Sequence, residues 1–323
     1  PRCLEAAEER HGAKGDRMMD ITQSVLLTII TASTPLLLAA MGEVIVERSG
    51  VLNLGLEGMM ATAAACGFAM AIVSGSTLMG VASAILSAML LSALFGFVTL
   101  NLGANQVASG LALTIVGLGL SGLIGAGFVG TSRPPAPTLY IEELTDWPGF
   151  GKIIFGQDGF VYASWFLLLA ISVFLYFTRA GLTLRCVGEN HHSAHAIGLP
   201  VVKTRFRAVL FGGACAGLSG AYLSLAYTPF WSPGMTAGRG WIALALVVFS
   251  AWRPERVWIG ALLFGGATVL QLHAQAASIG LPSQLLSALP YLATVLALVL
   301  MSYRKTSGTT SPGSLGHPFV PDR

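Results

Sequence analysis

Charge is nearly absent from the middle of this chain, and that limits its folds more than any other feature. Of 33 charged residues, 9 lie in residues 1–20 and 4 in residues 304–323, leaving 20 for the 283 residues between. A soluble domain carries roughly 25% charged residues to solvate its surface, against 10% here, with 54% hydrophobic residues and a mean hydropathy of +0.72. These values exclude a soluble enzyme, a nucleic-acid binder and a disordered chain. They indicate a polytopic membrane protein, all-α, of about 8–10 spans. The net charge of +3 is too small to imply a polyanionic partner. Cys3, Cys66, Cys186 and Cys215 form no Cys-x-x-Cys pair, so neither a disulfide framework nor a zinc site is expected. No Gly-x-x-x-x-Gly-Lys-Ser/Thr occurs, so nucleotide is not hydrolysed here through a P-loop.

A hydrocarbon core takes ~20 apolar residues per helical span. On that measure, spans are predicted near 22–42, 51–73, 78–100, 105–128, 160–179, 206–226, 240–251, 257–275 and 284–302. The 240–251 run is short and the 51–73 run carries Asn53 and Glu57, so both are expected inside the bundle. Residues 1–20 are a polar extension, expected to be disordered or non-native, with Met18 or Met19 as an alternative start. The transmembrane domain is placed at 21–303 and a cytoplasmic tail at 304–323.

Orientation follows the lysines and arginines. Arg179, Arg185, Lys203, Arg205 and Arg207 fall in the loop 179–207, Arg253 and Arg256 in the turn 252–256, and Arg304 and Lys305 after the last span. All three segments are mutually consistent as cytoplasmic. The insertion 129–159, broken by Pro134, Pro135, Pro137 and Pro148 and richer in acid than base, belongs outside. Nine spans then place the N-terminus outside, whereas a broken or re-entrant helix near 42–60 or within 105–128 would place it inside. A weak repeat pairs Leu94-Phe95-Gly96 and Gln106 to Ser109 with Leu263-Phe264-Gly265 and Gln284 to Ser287, on helices of opposite direction. Inverted repeats and broken helices are features of transporters.

Several residues are candidates for function. Asn53 and Glu57 are four apart and are expected on one helix face. An ionisable group within an apolar span costs ~2.5–3.5 kcal/mol on insertion scales. Glu57 therefore either lines a polar path or locks a broken helix as a hydrogen-bonded carboxylate. Asn105, Gln106 and Ser109 open an apolar run, where they either cap a helix or meet a hydroxylated solute. Arg239 and Trp241 enter the short span, to steer a solute or to anchor it; Trp231 and Trp241 are of the kind found at interfaces. In the basic loop, Asn190 or Ser193 can cap a short helix ended by Gly198 and Pro200, either a docking element or an inert connector. His191 and His195 have i,i+4 spacing, but no glutamate completes a His-Glu-x-x-His zinc site. Gly217-Leu218-Ser219-Gly220 resembles a nucleophile turn and His273 follows, yet no base marks Ser219 as activated. A stand-alone secondary transporter, with Glu57 as its proton or cation site, is the alternative from another class.

Four segments, in order, carry a family resemblance over roughly residues 22–303. They are Glu47-Arg48-Ser49-Gly50 through Glu57-Gly58, Asn105-Gln106 through Leu111, Leu184-Arg185 through Asn190 to Gly198, and Gly238-Arg239-Gly240-Trp241 through Ala245. With them the chain resembles the permease subunit of bacterial binding-protein-dependent ABC importers, in the nucleoside and simple-sugar branch related to ribose and branched-chain amino acid permeases. The resemblance implies ABC ATPase subunits, a second permease and an exterior solute-binding protein as partners, no cofactor, and a place in the bacterial cytoplasmic membrane. It also implies that the loop 181–200 is a coupling helix, with Arg185, Glu189, Asn190, Ala194 and Gly198 as ATPase-coupling candidates. The histidines at 191, 192 and 195 depart from the small or apolar residues expected there, and the N-terminal extension is unlike the family.

Overall fold

The computed structural model describes residues 2–139, 145, 151–276 and 311–320 with single positions between 282 and 299, and side chains from residue 22 onward. Ten helices position the sites discussed below. They are α1 (Arg2–Arg48), α2 (Leu56–Ser74), α3 (Thr77–Gly96), α4 (Gln106–Gly125), α5 (Gly159–Phe177), α6 (Arg179–Glu189), α7 (His191–Ala196), α8 (Val201–Tyr222), α9 (Arg239–Phe249) and α10 (Pro254–Ala276). Helices α3 and α8 each end in a π-helical turn, Phe97–Asn101 and Leu223–Tyr227. Among the described residues, seven helices are long and apolar enough to cross a membrane, the first of them over Thr22–Arg48. The eleven residues of α9 rise ~16 Å, about half of a ~30 Å hydrocarbon core. The predicted span 284–302 and the second half of the repeat lie outside the described residues.

Burial sorts the spans. In α1, α2 and α8, 61%, 72% and 78% of the apolar window is buried, against 28% in α4 and α5. The three inner helices therefore form the core and the outer ones shield it. Without a hydrophobic drive between helices in lipid, close backbone approach does this work. A Cβ on Gly58 would lie 2.7 Å from the Leu113 carbonyl. At the same crossing of α2 and α4, Thr62 donates to the carbonyls of Gly58 (2.9 Å) and Gly117 (3.0 Å).

Helix α1 carries Pro35 in its interior. Proline lacks an N–H, so the carbonyl four residues earlier loses its partner. Tyr222 of α8 supplies the missing donor, its hydroxyl reaching the Thr31 carbonyl at 3.0 Å. Ser219, one turn away, donates to the Pro35 carbonyl at 2.6 Å. Its hydroxyl proton is therefore committed to a backbone carbonyl.

The first predicted span was too short and the second began too early. Helix α1 continues to Arg48 and then stops in a Schellman motif. Gly50, at φ +87°, donates to Glu47 (2.9 Å), and Val51 donates to Val46 (3.3 Å). A non-helical link, 49–55, separates α1 from α2. Asn53 lies in this link, not on a helix face shared with Glu57, because its Oδ1 accepts the Gly55 amide at 3.0 Å and turns the chain into α2.

The end of α1, the α6–α7 loop and the turn 250–253 share one face: Arg48 Nε donates to the Trp252 carbonyl at 3.1 Å, and Trp252 Nε1 to Glu47. This is the basic face, cytoplasmic by its lysines and arginines. The two Leu-Phe-Gly triplets occupy unlike places, the end of α3 and the middle of α10.

Candidate functional site

Two places gather the polar groups: the middle of the bundle, where two helices begin, and the cytoplasmic face. In the first, Glu57 stands in the first turn of α2 and is 4% exposed. Its carboxylate accepts from the Thr236 hydroxyl (2.6 Å), the Gly238 amide (2.9 Å) and the Gly240 amide (2.6 Å). The last two are backbone donors at the N-terminus of α9, which orphan amides and the helix dipole make an anion site. Gly240 must be glycine for this approach, since a Cβ there would meet Glu57 Cα at 2.7 Å. Because α9 ends at the basic face, its N-terminus lies ~16 Å deep, near mid-membrane. The geometry is that of a carboxylate locking two discontinuous elements together.

The remaining predicted path residues divide. Arg239 folds back, donating to the Met235 carbonyl at 2.9 Å with its guanidinium 5.4 Å from the Tyr227 ring centre. Trp241 is 37% exposed. Gln106 is buried and its Oε1 accepts the Leu52 amide at 2.8 Å, holding α4 against the 49–55 link. Asn105 caps α4 by accepting the Ala108 amide at 3.0 Å. Ser109 is half-buried one turn on. Thus Glu57, Arg239 and Trp241 lie at the start of α9, while Asn53 and Gln106 shape the link and Asn105 and Ser109 stand at the start of α4.

Trp231 overturns the interface assignment: it is 2% exposed and packs on Gly125. The segment before α9 carries it into the bundle, where hydropathy alone gives no warning. Together with Ser121, Leu118, Met235 and Thr236 it lines a cavity of about 130 Å³. Thr236 is the main residue that sequence reasoning missed here. It had no motif, and only the turn at Gly238 (φ +78°) brings it to Glu57.

On the cytoplasmic face, Thr178 caps α6 through the Gly181 amide (3.0 Å), and Asn190 caps α7 through the Ser193 amide (3.0 Å). Gly198, at φ +85°, ends the element. Glu189, Asn190 and Gly198 are exposed and Arg185 is half-buried. Ala194 faces inward, 3% exposed in a small cluster with Val187, Val201 and Phe319. Ile197 is 74% exposed beside them, a large apolar side chain offered to solvent.

Beneath α7 lies Arg205, fully buried. It donates Nε to the Ser49 carbonyl (3.0 Å), Nη1 to the His317 carbonyl (3.2 Å) and Nη2 to His191 Nδ1 (3.2 Å). A guanidinium only donates, so this contact fixes His191 as the neutral tautomer protonated on Nε2. Burial, then the positive charges of Arg205, His192 and His317, push the His191 pKa down from 6.5 to about 4. No motif marked Arg205 beyond its charge in a basic loop. Among the described residues no group of three His, Cys, Asp or Glu side chains could hold a metal ion.

The family described as branched-chain amino acid transport system / permease component matches residues 25–302. The chain is 39% identical over 302 residues, 87% of its length and 92% of the relative's, to a Haloferax volcanii protein named "Putative glucose ABC transporter permease protein TsgC13". It is 33% identical over 321 residues (94% of this chain, 99% of the relative) to the guanosine ABC transporter permease protein NupQ of Bacillus subtilis. A third relative, the nucleoside ABC transporter permease protein NupC of Lactococcus lactis subsp. cremoris, is 29% identical over 303 residues (88% and 93%). No solved structure matches the chain. With a family match that takes in every helix from the apolar part of α1 onward, the chain belongs to the branched-chain amino acid transport permease family and is a multi-pass membrane transport subunit.

Proposed function

We propose that this chain moves a nucleoside or a simple sugar inward as the membrane-spanning subunit of an ATP-driven importer. Separate ATPase subunits, a second permease and an exterior solute-binding protein complete the assembly. The observation that carries this is the capped helix α7 on the cytoplasmic face, with Glu189, Asn190 and Ile197 turned outward beside the Gly198 turn. A short, rigid, partly apolar projection between two spans suits docking into a groove of a soluble partner. The second strand of support is the near full-length likeness to relatives named for guanosine and nucleoside transport.

In this reading the chain performs no covalent chemistry. ATP-driven movement of the partners displaces α7 and reorients the inner helices, which requires contacts that differ between two states. Glu57, with three donors already met, is a fixed joint of the path wall and not a proton carrier. Glucose is the second candidate solute, favoured by the relative at 39% identity.

The test is uptake of radiolabelled guanosine, other nucleosides, ribose and glucose by cells with and without the gene, repeated after ATP depletion with the proton gradient held. Nucleoside or sugar uptake that needs both the gene and ATP is the expected result. Uptake that survives ATP depletion and is lost with the proton gradient would overturn the importer reading.

A further inference from the structure

Residues 311–320 lie beyond the last apolar run, yet they return to the cytoplasmic face and bind four separate elements there. The Ser314 amide donates to the Gly188 carbonyl at the end of α6 (2.9 Å), and the Gly316 amide donates to the Gly50 carbonyl at the end of α1 (3.3 Å). Ser314 Oγ accepts the His191 amide at the start of α7 (3.1 Å). The His317 carbonyl takes one arm of buried Arg205. Phe319, 8% exposed, sets its ring 5.3, 5.9 and 5.3 Å from those of His191, His192 and His195.

These contacts give the three histidines a task. Where a coupling loop of this kind is expected to carry small or apolar residues, this chain has imidazoles stacked around a phenylalanine from its own C-terminal segment. Segments outside the spans fray unless they are tied down, and residues 311–320 are tied by backbone hydrogen bonds, a buried guanidinium and an aromatic cluster. The elements they tie are α6, α7, α8 through Arg205, and the Schellman turn at Gly50, inside the 49–55 link that turns into Glu57 and α2. Without the segment, α7 would keep the His191–Arg205 contact and the packing of Ala194 on Val187 and Val201 but lose Ser314, the Phe319 ring and the tie to Gly50.

We propose that residues 311–320 are a clasp in the coupling apparatus: they brace the joint that Arg205 makes between α7 and the end of α1, so that displacement of α7 by an ATPase reaches the 49–55 link instead of being absorbed locally. The inference rests on the importer reading above. It makes Phe319 and Ser314 positioning residues, which act through α7 without touching solute.

The test compares solute moved per ATP hydrolysed in proteoliposomes holding the full importer complex. The variants are truncation after residue 310, Phe319→Ala, and Phe319→Tyr, which keeps the ring. The truncated and Phe319→Ala complexes are expected to assemble and hydrolyse ATP while the ratio falls by about fivefold or more, and Phe319→Tyr is expected to restore it. A wild-type ratio in Phe319→Ala overturns the clasp, and this variant decides alone if the truncated chain does not assemble, since position 319 lies outside every span. ATP-independent uptake by the wild-type complex overturns the importer reading and the clasp together. ATP-driven wild-type uptake with unchanged ratios in the variants overturns the clasp only.

Discussion

A carboxylate taken out of water costs several kcal/mol unless its lone pairs are met, and Glu57 is met by one hydroxyl and two helix-end amides. Glu57→Gln puts an NH₂ group among donors and weakens charge-assisted bonds worth about 1.5–3 kcal/mol each. The expected outcome is a lower thermal unfolding midpoint in detergent together with weaker uptake. An unchanged midpoint with lost uptake would return Glu57 to the solute path. The sequence showed that Glu57 must face protein, because its charge sits in an apolar run. It did not show what Glu57 faces, since Thr236 and Gly240 are about 180 residues away and carry no charge. His191 supports a second prediction. Its pKa is held at about 4 against an ordinary 6.5, first by burial, to which Ser314 and Phe319 contribute, and in part by His317, so undocking raises it towards the ordinary value and the undocked loop binds more protons than the docked one. Docking of 311–320 is therefore strongest above pH 6.5 and weakens as pH falls towards 4. The groups facing His191 are Arg205, His192 and His317, all cationic when charged, and protonation adds repulsion from each. Hydrogen exchange of residues 311–320 across this range checks it; protection that does not change with pH would contradict it.

At the scale of elements, helix α1 shows how a break and a defect are handled differently. Pro35 leaves the helix continuous, and α8 meets the freed Thr31 carbonyl from outside through the Tyr222 hydroxyl. Tyr222→Phe removes the donor but little volume and leaves a buried carbonyl unmet, at about 1–3 kcal/mol. A lowered unfolding midpoint with unchanged expression is expected, and a midpoint equal to wild type would mean that α1 does not need the repair. Ser49-Gly50 does end the helix, because glycine adopts the left-handed conformation of the Schellman motif without strain. The sequence offered a break near 42–60 as one alternative and set 240–251 apart as short while still counting it as a span, whereas the eleven residues of α9 cross only about half of a hydrocarbon core. Their meeting at mid-membrane was not legible. It depends on the depth at which α9 begins, which is set by packing against α2 and not by local propensity. The same holds for Trp231, whose burial follows from the turn before α9.

For the whole molecule, the inner helices α1, α2 and α8 are held by small residues and backbone contacts, and the cytoplasmic face carries the outlet of that core. The spans among the described residues and the family were legible because bilayer thickness and four ordered motifs each act along the chain. The clasp was not, because residues 311–320 have the composition of an ordinary polar tail and only the fold brings Phe319 to His191. The exposed side of α7 gives a prediction that separates docking from folding. Ile197 is 74% exposed and follows the last residue of α7, so Ile197→Asp removes no internal contact of consequence, and surface changes of this kind shift stability by about 0.5 kcal/mol or less. An apolar side chain at the centre of an interface, by contrast, can carry 2 kcal/mol or more, roughly tenfold or more in affinity. Co-purification of the ATPase subunits with Ile197→Asp should therefore fall by about tenfold, while the unfolding midpoint of the isolated permease stays at the wild-type value. Full ATPase binding by the variant would place the docking surface away from Ile197, at the α6–α7 junction that carries Glu189 and Asn190. A fall in both quantities would mean that Ile197 helps hold the loop together, and the exposed face would then lose its claim as the contact.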